Sequence, residues 1–205
     1  MLAYLGKEEK SMRTPPSARS SLITLAPFPL DKTLALVGMP ATGKTTVGKQ
    51  LAHFFKVEFV DSDTEVEKSA GGNSVSVIYD QWGEEAFRDA EYQVIKRLFR
   101  EKPIHVLATG EGAFAQEETR KFLQENAITI FINTNLDIVC ERIQRKLQSR
   151  PQLAQGDILE NIKKTWQQRS PFYRLADIEI KSDDTSYEDT LTKIITALSK
   201  FLYLS

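Results

Sequence analysis

From residue 33 onward, short apolar runs alternate with longer stretches in which apolar residues recur every three or four positions. Thr33-Leu-Ala-Leu-Val37, Val57-Glu-Phe-Val60, Ile104 to Ala108, Ile128-Thr-Ile-Phe-Ile132 and Asp177 to Ile180 each predict a strand. Helical spacing predicts helices through Val47 and Leu51 to Phe55, then over about 64–69 (stopped by Gly71-Gly72), 75–101, 116–125, 136–147, 157–168 and 186–203. In the longest, Phe87, Ala90, Val94, Ile95 and Leu98 share one face; in the last, Leu191, Ile194, Ile195, Leu198 and Leu202 form one stripe. Thr185 with Glu188 suggests a capping box for that last helix. Apolar strands separated by helices predict an α/β protein, with a parallel sheet covered on both faces.

Residues 1–30 break this rhythm. Lys7-Glu-Glu-Lys10, Pro15-Pro16 and Ser17-Ala-Arg-Ser-Ser21 have no sustained period, and a disordered tail before a single domain over 31–205 is expected. They contain no apolar segment long enough for a signal peptide, and Glu8 and Glu9 oppose a mitochondrial presequence. Composition adds little: 205 residues suffice for one core, and apolar (41%) and charged (27%) contents are ordinary. A net charge of −1 gives no general attraction for nucleic acid, so an anionic ligand must meet local arginines or backbone dipoles. A single cysteine, Cys140, excludes a disulfide framework and a thiolate metal cage, and no apolar run reaches the roughly 20 residues of a membrane span. A cytoplasmic monomer is the expectation.

The chemistry concentrates after the first strand. Gly38-Met-Pro-Ala-Thr-Gly-Lys-Thr45 has the spacing of a phosphate-binding loop between a strand and a helix. Backbone N–H groups of such a loop cradle a polyphosphate, with the lysine reaching the β- and γ-phosphates and the hydroxyl available to Mg²⁺. Ligands of open α/β sheets sit at the carboxyl ends of the strands. Asp61 and Asp63 lie at such an end, two apart, and in extended chain would face the same side. Arg88 and Glu91 are one helical turn apart and can pair, fixing the guanidinium. Arg150-Pro151 and Arg169-Ser-Pro-Phe-Tyr173 bring further arginines to predicted helix–loop junctions. His53 falls on a predicted surface helix and His105 in an apolar strand, neither with a ligand partner at metal spacing, and Trp82 and Trp166 read as packing residues.

The phosphate loop, Phe59-Val-Asp-Ser-Asp63, Gly83-Glu-Glu-Ala-Phe-Arg88 with Glu91, Thr109-Gly-Glu-Gly112, Arg150-Pro151 and Arg169-Ser-Pro-Phe-Tyr173 together, in this order, resemble the shikimate kinase family. The resemblance implies a three-layer P-loop kinase fold with a five-stranded parallel sheet and a mobile lid over about 144–158. It implies transfer of the ATP γ-phosphoryl group to the 3-hydroxyl of shikimate, with ATP and Mg²⁺ as cofactors. Ala41, Thr42, Gly43, Lys44, Thr45 and Thr46 would hold the phosphates, with Thr45 and (through water) Asp61 on Mg²⁺. Asp63 would bind the acceptor hydroxyls and take the proton, while Arg88 and Arg169 would grip the carboxylate beside Gly110, Glu111 and Gly112. Arg150 would cover the phosphates as a catalytic group, and Arg145 would lie near the adenine.

This sequence departs from the family pattern at four places. Ala41 stands where glycine is usual, Gln152 follows Arg150-Pro151 in place of leucine, and Ser182-Asp-Asp-Thr185 lacks an adenine-side arginine. The fourth is Glu111, in the middle of a triple glycine. A positive φ there would cost roughly 1–2 kcal/mol. A carboxylate about 4 Å from the acceptor's would cost roughly 4 kcal/mol at an effective dielectric near 20, about a thousandfold in affinity. Glu111 therefore points away, pairs with an arginine, or marks a different acceptor. Two alternative functions follow: another small-molecule kinase in which Glu111 recognises a hydroxyl or amine, or an ATP-binding interaction protein whose acceptor site Glu111 blocks.

Overall fold

A computed structural model describes residues 27–148, 158–183 and 186–203. Five strands among them, β1 (Thr33–Val37), β2 (Glu58–Asp61), β3 (His105–Ala108), β4 (Ala127–Asn133) and β5 (Ile178–Lys181), form one sheet. The strand order is β2-β3-β1-β4-β5, and every pairing is parallel. Helices α1 (Lys44–Phe55), α2 (Ser62–Ser69), α3 (Val75–Glu101), α4 (Glu117–Asn126), α5 (Leu136–Gln148), α6 (Ile158–Tyr173) and α7 (Tyr187–Tyr203) connect and cover the strands. This is the expected three-layer α/β arrangement.

The central position of β1 follows from its sequence. All five residues are buried, and alternate ones face opposite cores. Ala35 and Val37 join the cluster holding Phe87, Val94, Ile95 and Leu98 of α3 with Phe114 and Leu123. Leu34 and Leu36 join the opposite cluster, with Val47 and Leu51 of α1 and Ile194, Ile195 and Leu198 of α7. Truncating one such buried leucine to alanine typically costs about 2–5 kcal/mol.

Some details differ from the sequence expectations. Helix α3 contains Gly83 at φ 81°, ψ 170°, so it is two helical segments meeting at a kink. Helix α6 runs through Pro171 to Tyr173, placing Arg169 on a helix rather than at its junction with a loop. The start of α7 is secured by Ser186 Oγ, which accepts the Asp189 N–H at 3.1 Å and donates to Asp189 Oδ2 at 2.9 Å. Thr185 lies outside the described residues. Phe28, assigned to the tail, packs edge-on against Phe55 and Tyr203.

The strand order places β1 between β3 and β4, and the carboxyl ends of β1, β2 and β3 side by side. Thr109 ties two of these ends together: its N–H and hydroxyl both donate to the Leu36 carbonyl, at 3.1 and 3.0 Å. The Gly110 N–H donates to Ser62 Oγ at 2.8 Å, bringing in the start of α2.

Candidate active site

After β1 the chain turns through three residues of positive φ: Gly38 (139°), Ala41 (58°) and Gly43 (95°). Glycine tolerates this at two of them. Ala41 does not, and the conformation costs it about 1–2 kcal/mol. Thr42 Oγ1 donates to the Met39 carbonyl at 2.9 Å, closing the loop. Gly43 caps α1 without a side-chain hydrogen bond, which leaves the first N–H groups of the helix available to an anion. Lys44 Nζ donates to the carbonyls of Gly38 and Met39, both at 2.8 Å, and Thr45 Oγ1 donates to Asp61 Oδ2 at 3.1 Å.

Asp61 and Asp63 come together by a route other than strand alternation. Asp61 ends β2 and caps α2, accepting the Asp63 N–H at 3.2 Å; Asp63 already belongs to the first turn of that helix. Both still line one cavity with the phosphate loop. Burial, reinforced by Asp61, raises the Asp63 carboxyl to about 6, against the opposing pull of Lys44.

Arg88 and Glu91 make the predicted pair, Nη1 to Oε2 at 2.7 Å, and both are buried. Burial lifts the Glu91 carboxyl above its ordinary range, and Arg88 works against that lift. The guanidinium also lies 5.0 Å from the Phe87 ring centre and 5.4 Å from that of Tyr79. Its pose is fixed on several sides.

The two glycines of Thr109-Gly-Glu-Gly112 are required for room. A Cβ on Gly110 would sit 2.4 Å from both Asp63 Oδ1 and Glu91 Oε1, and one on Gly112 only 2.1 Å from Arg88 Nη2. What comes close to these glycines is first of all the protein's own charged side chains. Glu111 lies between them without positive φ, because Ala41 and Lys56 are the non-glycine residues of positive φ among those described. The anticipated backbone strain is absent. Its Oε1 accepts from Arg169 Nη1 at 2.9 Å, and its carbonyl accepts from Tyr173 Oη at 2.6 Å. Glu111 is therefore paired with an arginine, one of the outcomes anticipated above.

The cavity, about 670 Å³, is lined by Gly43, Lys44, Thr45, Thr46, Asp61, Asp63, Arg88, Gly110 and Glu111. Arg145 also lines it but pairs with Glu141 on its own helix. Arg142 and Tyr187 are among the lining residues that sequence reasoning missed, as is Tyr79. Arg142 Nη1 donates to the Ala41 carbonyl at 3.1 Å, and the Tyr187 ring covers Gly43, where a Cβ would meet it at 2.9 Å. Arg142 stands one helical turn before Arg145, a spacing that could have drawn notice; nothing local marks Tyr187. Arg150, Gln152 and most of the expected lid lie outside the described residues.

His53 is exposed on α1, as expected of a surface helix. His105 is buried and bonded to Thr33 and the Lys102 carbonyl, and burial lowers its pKa. Trp166 packs near Phe131. Trp82 does not pack as expected; it is 48% exposed.

A family model described as shikimate kinase matches residues 40–199. A shikimate kinase of Nitrobacter winogradskyi is 41% identical over 171 residues, 83% of this chain and 78% of the relative. One from Caulobacter vibrioides is 39% identical over 167 residues, 82% of each chain. Among solved structures, a shikimate kinase from Acinetobacter baumannii in complex with shikimate aligns with a TM-score of 0.75 and 32% identity, covering 85% of this chain and 96% of that one.

Proposed function

The chain belongs to the shikimate kinase family, and from that premise we propose how its residues move the γ-phosphoryl group of ATP to the 3-hydroxyl of shikimate. The products are ADP and 3-phosphoshikimate, a step toward chorismate and the aromatic amino acids. One observation carries the assignment: a single cavity is lined both by the phosphate loop and by Asp63, Arg88 and Gly110. Donor and acceptor groups can therefore meet there, as in-line transfer requires.

Lys44 exchanges its two loop carbonyls for oxygens of the transferring phosphoryl group. Thr45 and Asp61 suit Mg²⁺, since a hydroxyl and a carboxylate already sit 3.1 Å apart beside the phosphate loop. Bound there, Mg²⁺ supplies charge neutralisation on the triphosphate. Asp63 orients the acceptor hydroxyl and takes its proton. A carboxyl near pKa 6 is mostly ionised at neutral pH yet more basic than an exposed aspartate, which favours that role. Arg88, held by Glu91, and Arg169 present planar forks to the acceptor carboxylate. Arg142 joins Arg145 and Tyr187 on the nucleotide side, and Arg150 keeps its phosphate-covering role by resemblance. The reading also takes the protein as a cytoplasmic monomer engaging neither nucleic acid nor membrane; no helix among the described residues is long and apolar enough to cross one.

A coupled ADP-release assay with shikimate, and with gluconate as control, tests the assignment. Shikimate-dependent turnover that Asp63→Asn lowers by about 10²–10⁴-fold, with little change in the ATP KM, is the expected result. Turnover of gluconate without turnover of shikimate would contradict it.

A further inference from the structure

We propose that Glu111 is an internal competitor for the acceptor's carboxylate. Its side chain holds Arg169 while the acceptor site is empty, and an acidic acceptor binds by taking that guanidinium over. The inference rests on the reading of Arg169 as a carboxylate-binding residue.

The two arginines on the acceptor side are held very differently. Arg88 is paired with Glu91, which is 1% exposed and crowded against Gly110, so that pair has nowhere to go. Arg169 is paired with Glu111, whose side chain is 42% exposed and borders the cavity. Glu111 can therefore swing into water when released. Its backbone cannot follow, because Tyr173, one turn after Arg169 on α6, holds the Glu111 carbonyl at 2.6 Å. The loop stays clamped to α6 while the carboxylate exchanges.

Charge explains why the exchange must occur. A second carboxylate arriving at Arg169 meets the Glu111 carboxylate already there, close to Asp63 and Glu91. It gains the guanidinium only by losing the Glu111 ion pair and facing its charge. An uncharged acceptor analogue neither needs Arg169 nor meets that opposition. Glu111 thus lowers acceptor affinity and narrows the preference for acids over neutral analogues, without touching the hydroxyl that reacts. The penalty is far below the uncompensated thousandfold, because Glu111 is half in solvent and Arg169 neutralises part of its charge.

Isothermal titration and steady-state kinetics on wild type, Glu111→Gln, Arg169→Gln and the double variant test this with shikimate and its methyl ester. Glu111→Gln should lower the shikimate Kd and KM about tenfold, leave the ester's within about twofold, and act on KM rather than on kcat. In the Arg169→Gln background the same substitution should move the ester not at all and shikimate clearly less than in wild type, since only screened repulsion between the two carboxylates is left once that guanidinium is gone. Wild type that turns over shikimate with affinity unmoved or weakened by Glu111→Gln overturns this inference alone. An equal shift for acid and ester also overturns it. Wild type that neither binds nor phosphorylates shikimate overturns the functional reading with it.

Discussion

Gly110→Ala asks whether the acceptor loop works by making room for the catalytic carboxylate. Gly110 has no positive φ, so the added methyl meets a problem of space and not of backbone conformation. Its Cβ would lie 2.4 Å from Asp63 Oδ1 and from Glu91 Oε1, whereas real contacts stay beyond 3.0 Å, so something must move by at least about 0.6 Å. Glu91 is buried and held by Arg88 at 2.7 Å. Asp63 faces the cavity and is the side chain that yields. Overpacking of this kind costs about 1–3 kcal/mol in stability, or a Tm lowered by roughly 2–12 °C for a chain of this size. The catalytic cost is of similar size, because a misplacement of about 1 Å can cost roughly a hundredfold, or about 2.7 kcal/mol. Coupled ADP release should show kcat reduced about 10–100-fold, with the ATP KM little changed and a cooperative melt retained. A folded Gly110→Ala enzyme with kcat within about twofold of wild type would refute the assignment of Asp63 as the base at this spot.

Three other substitutions or conditions probe separate parts of the site. The Asp63 carboxyl, raised to about 6, must be ionised to accept a proton, so kcat/KM for shikimate should fall about tenfold per pH unit below about 6. Its stability contribution has the opposite sense: favourable below the ordinary value of 3.8, it is lost as pH rises through about 6, which denaturant titrations of wild type against Asp63→Asn would detect. Ala41→Gly removes a positive-φ alanine at 58°; the strain relief of about 1–2 kcal/mol outweighs glycine's added entropy of about 0.5–1 kcal/mol, and Tm should rise by about 1–4 °C. Tyr187→Ala, which uncovers Gly43, should raise the ATP KM several-fold while leaving the shikimate KM nearly unchanged, as steady-state titrations of each substrate would show.

The strands were legible because β1, β3 and all of β4 but Asn133 are short, fully buried runs, while β5 alternates buried apolar with exposed polar residues. The extension of α6 was not legible, since proline ordinarily stops a helix; here Pro171 is accommodated and carries Tyr173 back to Glu111. The Asp61–Asp63 pair was recognised through an assumed strand alternation, yet a helix cap brings it together. Arg88 and Glu91 were predictable as local neighbours, whereas Glu111 and Arg169 meet across 58 residues and Tyr187 reaches Gly43 from the far end of the chain. Such pairings depend on the strand order, which no local pattern encodes. The positive φ at Ala41 was foreshadowed by the glycine usual there in the family pattern, although nothing in its neighbours demands it.

Whether this cavity joins the γ-phosphoryl group of ATP to the 3-hydroxyl of shikimate is decided by phosphorus NMR of the protein with ATP, Mg²⁺ and shikimate. A new phosphomonoester resonance coupled to the proton at carbon 3 of the acceptor ring is expected, growing in step with ADP and absent without protein. ADP formed without that resonance, or a phosphomonoester at another position, would contradict that transfer.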